Sequence, residues 1–252
     1  MAVTTETNRK PLPTIGVDKY TFAQLMSDSA DGAEYGASYS LQGMVQISPS
    51  DSGGSDTFDA DNGAYEVESY LEKIGHEIEN ADIPPEVDAM WKGLEKKHGA
   101  VIVGDTNSIP YFGVAWRILK TDGTYRYVKY FKGKYSLASN VGGKTKPSSG
   151  ASDKQTAKAT YTAIKRDYDD NYYVYIDTDG VEELIAEKDS SVTSVAQFEK
   201  IFFEDMSYIP GDSTIKLMDE GDTVVKLGEL DKSTEEQSDG QSDTQSDEQA
   251  AE

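Results

Sequence analysis

The sequence predicts a mainly β fold of the α+β class, with a helix covering one side of a sheet. Three observations carry this. Residues 109–135 read as two long strands meeting at Asp122-Gly123, and Asp-Gly between alternating apolar runs is a strong hairpin signal because both turn residues must tolerate positive φ. Residues 82–97 place Val87, Met90, Trp91 and Leu94 at i, i+3, i+4 and i+7, one stripe of a helix. The composition, with 16 Tyr and 22 Gly among 252 residues, is that of a β-rich chain long enough for one large domain with appendages.

Taken in order, residues 1–13 are polar and end in Pro-Leu-Pro, a flexible arm. They hold no apolar core of a secretory signal. A first strand is expected over 19–25, a turn cluster over 27–36 and a second strand over 37–48. Residues 49–62 are expected to be a long acidic loop. Phe58 is its one large apolar residue, among Asp51, Asp56, Asp59 and Asp61. The loop is either mobile or docks on a neighbouring copy with Phe58 as anchor. Asp59 and Asp61 have the spacing of the first two ligands of a calcium loop, but Tyr70 stands where that loop needs a bidentate Glu, so no EF-hand is assigned.

Residues 65–80 are strand-like with a change of phase. Tyr65, Val67 and Leu71 share one parity, whereas Ile74, His76 and Ile78 share the other. A bulge near Glu72–Lys73, or a meeting of two strands, is expected there. The helix over 82–97 has Pro84 and Pro85 for its first turn and Gly99 as its stop. His98 is then its dipole-complementing cap. A short strand is expected over 101–103.

In the central hairpin Phe112, Val114, Trp116 and Ile118 share one face, and Tyr125, Tyr127, Phe131 and Tyr135 are assigned to one face of the second strand. The other face carries Arg126, Val128, Tyr130, Lys132 and Lys134. A mixed aromatic and basic face fits either contact with another protein or a solvated strand. Arg126, Tyr130, Lys132 and Lys134 are therefore candidate interface residues.

Residues 136–153 are a loop rich in Gly, Ser and Lys. Gly142-Gly143-Lys144-Thr145 resembles the end of a P-loop, but Ala138 replaces the first glycine and Pro147 follows, so no nucleotide site is assigned. Residues 155–165 and 171–177 are expected to pair as a second hairpin, with a turn over 177–180. A helix over 194–205 follows, where Ser194 and Gln197 match a capping box. Residues 215–227 could add a strand pair. From Asp231 on, eight acids, one lysine and three Gln-Ser-Asp repeats cannot bury a core, and this tail is expected to be disordered.

The net charge of −22 argues against general binding to phosphate backbones, although such a surface could line a passage through which DNA slides. It also opposes association, so any assembly must rest on buried contacts. Cysteine is absent and His76 and His98 are the only histidines, which leaves no thiol chemistry and no histidine-based motif. No enzyme, cofactor or metal site is assigned. No apolar run approaches a membrane span.

Several stretches, from about residue 14 to 205 and in consistent order, resemble the major tail protein, or tail tube protein, of long non-contractile tailed phages of Gram-positive bacteria. They are residues 16–26 with Asp28; Asp82-Ile83-Pro84-Pro85-Glu86-Val87 before its helix; Tyr111-Phe112-Gly113-Val114-Ala115; Gly123-Thr124-Tyr125-Arg126-Tyr127-Val128 through Phe131-Lys132-Gly133-Lys134-Tyr135; and Gln197-Phe198-Glu199-Lys200-Ile201-Phe202. The resemblance implies a β-sandwich or barrel-like tail tube domain flanked by a helix. It implies hexameric rings that share an inner β-barrel and stack around a tape-measure protein. Distal tail and terminator proteins would bound the tube, and DNA would pass without specific binding. The loop over 49–62 would reach the adjacent ring. The location would be the virion, with assembly in the host cytoplasm. Residues 206–230 run past where shorter members end, and the tail from 231 has no counterpart. Two other readings stay open: a monomeric β-sandwich module that binds carbohydrate or a surface protein, and the tube protein of a related injection machine.

Overall fold

The computed structural model describes residues 11–104, 108–138, 141–150, 154–186 and 192–211. The mainly β, α+β class is present as a large antiparallel sheet with three helices. The strands are β1 (Thr14–Ser29), β2 (Gly32–Leu41), β3 (Met44–Pro49), β4 (Ser52–Ala60), β5 (Gly63–Asn80), β6 (Glu95–Lys97), β7 (Ala100–Ile102), β8 (Phe112–Lys120), β9 (Tyr125–Tyr135), β10 (Ala157–Ile164) and β11 (Tyr173–Asp177). The helices are α1 (Pro85–Lys92), α2 (Thr178–Ala186) and α3 (Val195–Glu204). The main sheet runs β2-β1-β8-β9-β10-β5-β3, with β11 beside β9 and β4 beside β5.

This sheet curls around one of its faces. Tyr20 on β1 and His76 on β5 have three strands between them, a separation of about 19 Å if the sheet were flat. Their hydroxyl and imidazole nitrogen lie 3.0 Å apart. The enclosed face is aromatic: Tyr20, Phe22, Trp116, Tyr130, Tyr135 and Tyr161 pack there with Ile74 and Ile78. Helix α1 closes one end, and Trp91 stacks on Tyr135 with centroids 4.0 Å apart. Each such side chain contributes roughly 1.5–3 kcal/mol by leaving water.

The opposite face of β1, β8 and β9 carries a second core. Val114 and Trp116 point into the curl, so Ala115 points out, beside Ala23 and Tyr127. Against them pack Val181 of α2 and Phe198, Phe202 and Phe203 of α3. Ser194 caps α3 by accepting from the Gln197 N–H at 3.2 Å, as its sequence pattern predicts. Met206 and Tyr208 are buried in the same core, so the domain continues past residue 205. The rest of the C-terminal extension and the acidic tail, beyond Gly211, lie outside the described residues, as do residues 1–10.

Several expectations are corrected. The helix ends at Lys92, not Lys97. Gly93 adopts φ 62 and its N–H reaches back to Met90 O, and a Cβ there would sit 2.3 Å from the Ser108 carbonyl. His98 and Gly99, both at positive φ, turn β6 into β7, so His98 is a hairpin residue and not a helix cap. The Asp122-Gly123 turn has only Gly123 at positive φ. Residues 37–48 split into the end of β2 and most of β3, broken at Gly43 with φ 86. Residues 178–186 form α2, where only a turn was expected.

β10 and β11 do not pair with each other. Tyr161 to Ile164 lie opposite Tyr135 to Lys132, and Tyr173 to Asp177 lie opposite Tyr130 to Arg126. They are one interrupted strand along the edge of β9, and residues 165–172 loop out between them. The loop is pinned by the fully buried Arg166, which pairs with Asp169 and lies 4.3 Å from the Phe131 ring centroid.

Candidate assembly surface

Residues 52–73 form a two-stranded ribbon that projects from the body. The sequence reading of 49–62 as a loop is corrected: 52–60 are strand β4, paired with the first half of β5. The turn is Asp61-Asn62, at φ 49 and 62, joining Ala60 to Gly63. Two successive residues at positive φ match the right-handed twist of a hairpin. Nine residues of strand give the ribbon a reach of about 30 Å.

At its base the ribbon is tied to the body. The Asp51 carboxylate accepts from the Gly75 N–H at 2.9 Å. Lys73 lies opposite Ser52 and Leu71 opposite Gly53, so Glu72 is the extra residue of a bulge. Of the two outcomes expected from the change of phase, a bulge or a meeting of two strands, this is the bulge. Beyond it β5 belongs to the curled sheet, with β10 on one side and β3 on the other.

The ribbon has two unlike faces. Directly paired residues share a face, so Val67 lies with Thr57 and Leu71 with Gly53. Glu66 lies with Phe58 and Glu68 with Asp56 on the other face. There the Tyr70 ring crosses Gly54, where a Cβ would sit 2.6 Å from the Tyr70 hydroxyl. Phe58, Tyr65, Val67 and Leu71 are all more than half exposed. Between Asp51 and Lys73 there are seven acids and one lysine. The candidate residues therefore separate by position. Asp51 is at the anchored base, Asp56 and Phe58 lie along the strand, Asp59 follows a second bulge, and Asp61 is in the tip turn.

The four hairpin candidates do not share one face. Val114 lies opposite Tyr130 but Phe112 opposite Gly133, so β9 carries an extra residue between them. The bulge turns Tyr135 into the same core as Tyr130, against its simple parity, and turns Lys132 and Lys134 away. Lys132 pairs with Asp28 at 2.6 Å and Asp167 at 2.9 Å and is nearly buried. Burial opposes the charge of Asp28, but the N–H groups of Asp167 and Tyr168 and the Lys132 ammonium hold its carboxyl below the usual range. Lys134 lies 4.2 Å from the Tyr111 ring centroid.

Arg126 and Tyr130 instead line a cleft of about 430 Å³ beside β3. Its floor includes Val17, Trp116 and Tyr130, and its rim Tyr173 and Tyr175 of β11. Tyr130 stacks on Tyr173 with centroids 4.9 Å apart, and Arg126 pairs with Asp177 at 2.7 Å. Tyr173 and Tyr175 were outside the sequence candidates. Their alternation with Val174 was the available signal.

Two polar groups are sealed in the cores. His76 is fully buried; Nε2 meets the Tyr20 hydroxyl, and burial pulls the imidazole down to about 3. Lys129 is fully buried under α3, and Nζ donates to the carbonyls of Asp205 at 2.7 Å and Tyr208 at 3.0 Å. Burial pulls its amine down to about 7. Neither lies on an open cleft. Among the described residues there is no cluster of three or more side chains that could hold a metal, and no helix is long and apolar enough to cross a membrane.

No protein-family model matches the chain, and no curated protein matches it.

Proposed function

We propose that the protein is a structural subunit that self-assembles into stacked, hexameric rings as the tail tube of a siphophage-type virion or a related injection machine. The observation that carries this reading is the bare ribbon β4–β5. A two-stranded ribbon alone is marginal in water. This one leaves Val67 and Leu71 on an uncovered face, which a neighbouring subunit would cover. Open strand edges support the same reading. Among the described residues β2 pairs only with β1 and β11 only with β9, and closure between subunits removes such edges. The rings would enclose a tape-measure protein and later the passing genome, with terminator and distal proteins at the ends.

Negative-stain electron microscopy of the purified protein over a concentration series tests it, with light scattering alongside. Rings or hollow tubes are expected. A strict monomer at every concentration overturns the reading.

The cleft favours a second reading, a monomeric binding module. Exposed Tyr173 and Tyr175 at a concave rim suit stacking against a sugar ring. Saturable saccharide binding by a protein that stays monomeric would establish it in place of the tube.

A further inference from the structure

We infer that the acidic ribbon of one copy docks on the lysine-bearing residues 141–150 and 154–158 of the next copy, so that the subunits associate head to tail along β5. This rests on the self-assembly reading above and names the surface that receives the ribbon.

Register fixes the geometry. Ala163 of β10 lies opposite Ile74, at the base of the ribbon, and Ala157 lies opposite Asn80, at the far end of β5. Lys154 and Gln155 precede β10 and therefore lie at that far end. Gln155 ties residue 144 to the same place, because its side chain accepts from the Lys144 N–H at 2.7 Å and donates to the Lys144 carbonyl at 3.1 Å. The ribbon tip and the lysine segment thus sit at opposite ends of an 18-residue strand, about 60 Å apart.

The two ends are complementary in charge. The ribbon, residues 52–73, has six acids and one lysine, whereas residues 136–158 have four lysines and a single acid. Lys144, Lys146 and Lys154 are exposed, and among the described residues Lys158 is the one of the four lysines in an ion pair, with Glu77 and Glu79. Both ends also carry apolar surface. Phe58, Val67 and Leu71 are exposed on the ribbon, and Leu137 and Val141 at the lysine end are 57% and 94% exposed. Unlike patches at opposite ends of one molecule make a heterologous contact, which repeats along an axis and cannot close as a two-fold dimer. Opposite charge would also offset the repulsion between subunits that are acidic overall.

The test is charge reversal with compensation in the full chain. One variant carries Glu66→Lys, Glu68→Lys and Glu72→Lys, and the other Lys144→Glu, Lys146→Glu and Lys154→Glu. All six sites are exposed, and circular dichroism checks that both variants fold. Sedimentation and electron microscopy read stacking. Each variant alone is expected to weaken stacking by about tenfold or more, and the 1:1 mixture and the six-site chain are expected to restore it. Stacking unchanged by either reversal, or lost without rescue, overturns this docking and leaves the ring reading standing. A wild-type chain that never assembles overturns both.

Discussion

The Tyr20 hydroxyl lies 3.0 Å from His76 Nε2 and 2.9 Å from the Tyr135 hydroxyl, so a hydrogen-bonded chain crosses the inside of the curled sheet from β1 to β5 and β9. Trp116, Tyr130 and Tyr161 surround the imidazole, and among the described residues no carboxylate partners it. Burial makes the neutral ring the stable form and pushes the Tyr20, Tyr135 and Tyr161 hydroxyls well up.

This arrangement predicts acid lability. The folded imidazole titrates near 3 and the unfolded one near 6.5. Between those values the unfolded chain binds more protons, so stability falls as pH drops. The loss at pH 4 relative to pH 7 is about 3 kcal/mol from this residue. Urea midpoints at the two pH values measure it, and His76→Gln is expected to flatten the slope.

Lys129 predicts the opposite limb. Its folded amine titrates near 7 and the unfolded one at 10.5. The unfolded chain binds the extra proton in that window, so stability rises by about 2 kcal/mol from pH 7 to pH 9. Above pH 10 the buried tyrosines, which ionise only on unfolding, reverse the trend. Lys129→Met is expected to remove the rise and to speed amide exchange near Met206 and Tyr208, which urea titration and hydrogen exchange would read.

Gly133 predicts a steric limit. A Cβ there would sit 2.4 Å from the Tyr161 ring and 2.5 Å from the Thr162 carbonyl. The backbone carbonyl cannot retreat without breaking the β9–β10 pairing. Gly133→Ala is expected to cost about 2 kcal/mol or more, measured by thermal or urea unfolding. Gly123→Ala would meet no atom and would suffer only from its positive φ.

The ribbon predicts a separation of folding from assembly. Replacing residues 53–72 with a short turn keeps Asp51 and its bond to Gly75. The body is expected to unfold within a few degrees of wild type, since the removed residues lie outside both cores. Ring stacking is expected to be lost. Tubes of normal length from this variant would exclude the ribbon as the contact.

Legibility followed the range of the determining contact. The bulge at Glu72, the Ser194 cap and the Val114–Trp116 face were readable because each depends on residues a few positions apart. The Asp61-Asn62 turn was equally local, but the segment before it, residues 52–60, is mostly Ser, Gly and Asp with no apolar alternation, and so it read as loop. The bulge in β9 was not readable. Nothing between Tyr130 and Gly133 marks an extra residue until β8 is laid beside it. The face of Lys132 and Lys134 was misjudged for that reason.

By itself the sequence determined a mainly β chain, its central hairpin, its third helix and the absence of cysteine, because periodicity, capping and composition act within the chain's own neighbourhood. The tertiary structure alone decided that the sheet curls until Tyr20 meets His76, that β10 and β11 share one edge of β9, and that an acidic ribbon and a lysine segment occupy opposite ends of β5. Those features are set by register between distant strands, and register minimises exposed apolar surface over the whole sheet, a quantity no short stretch of sequence contains.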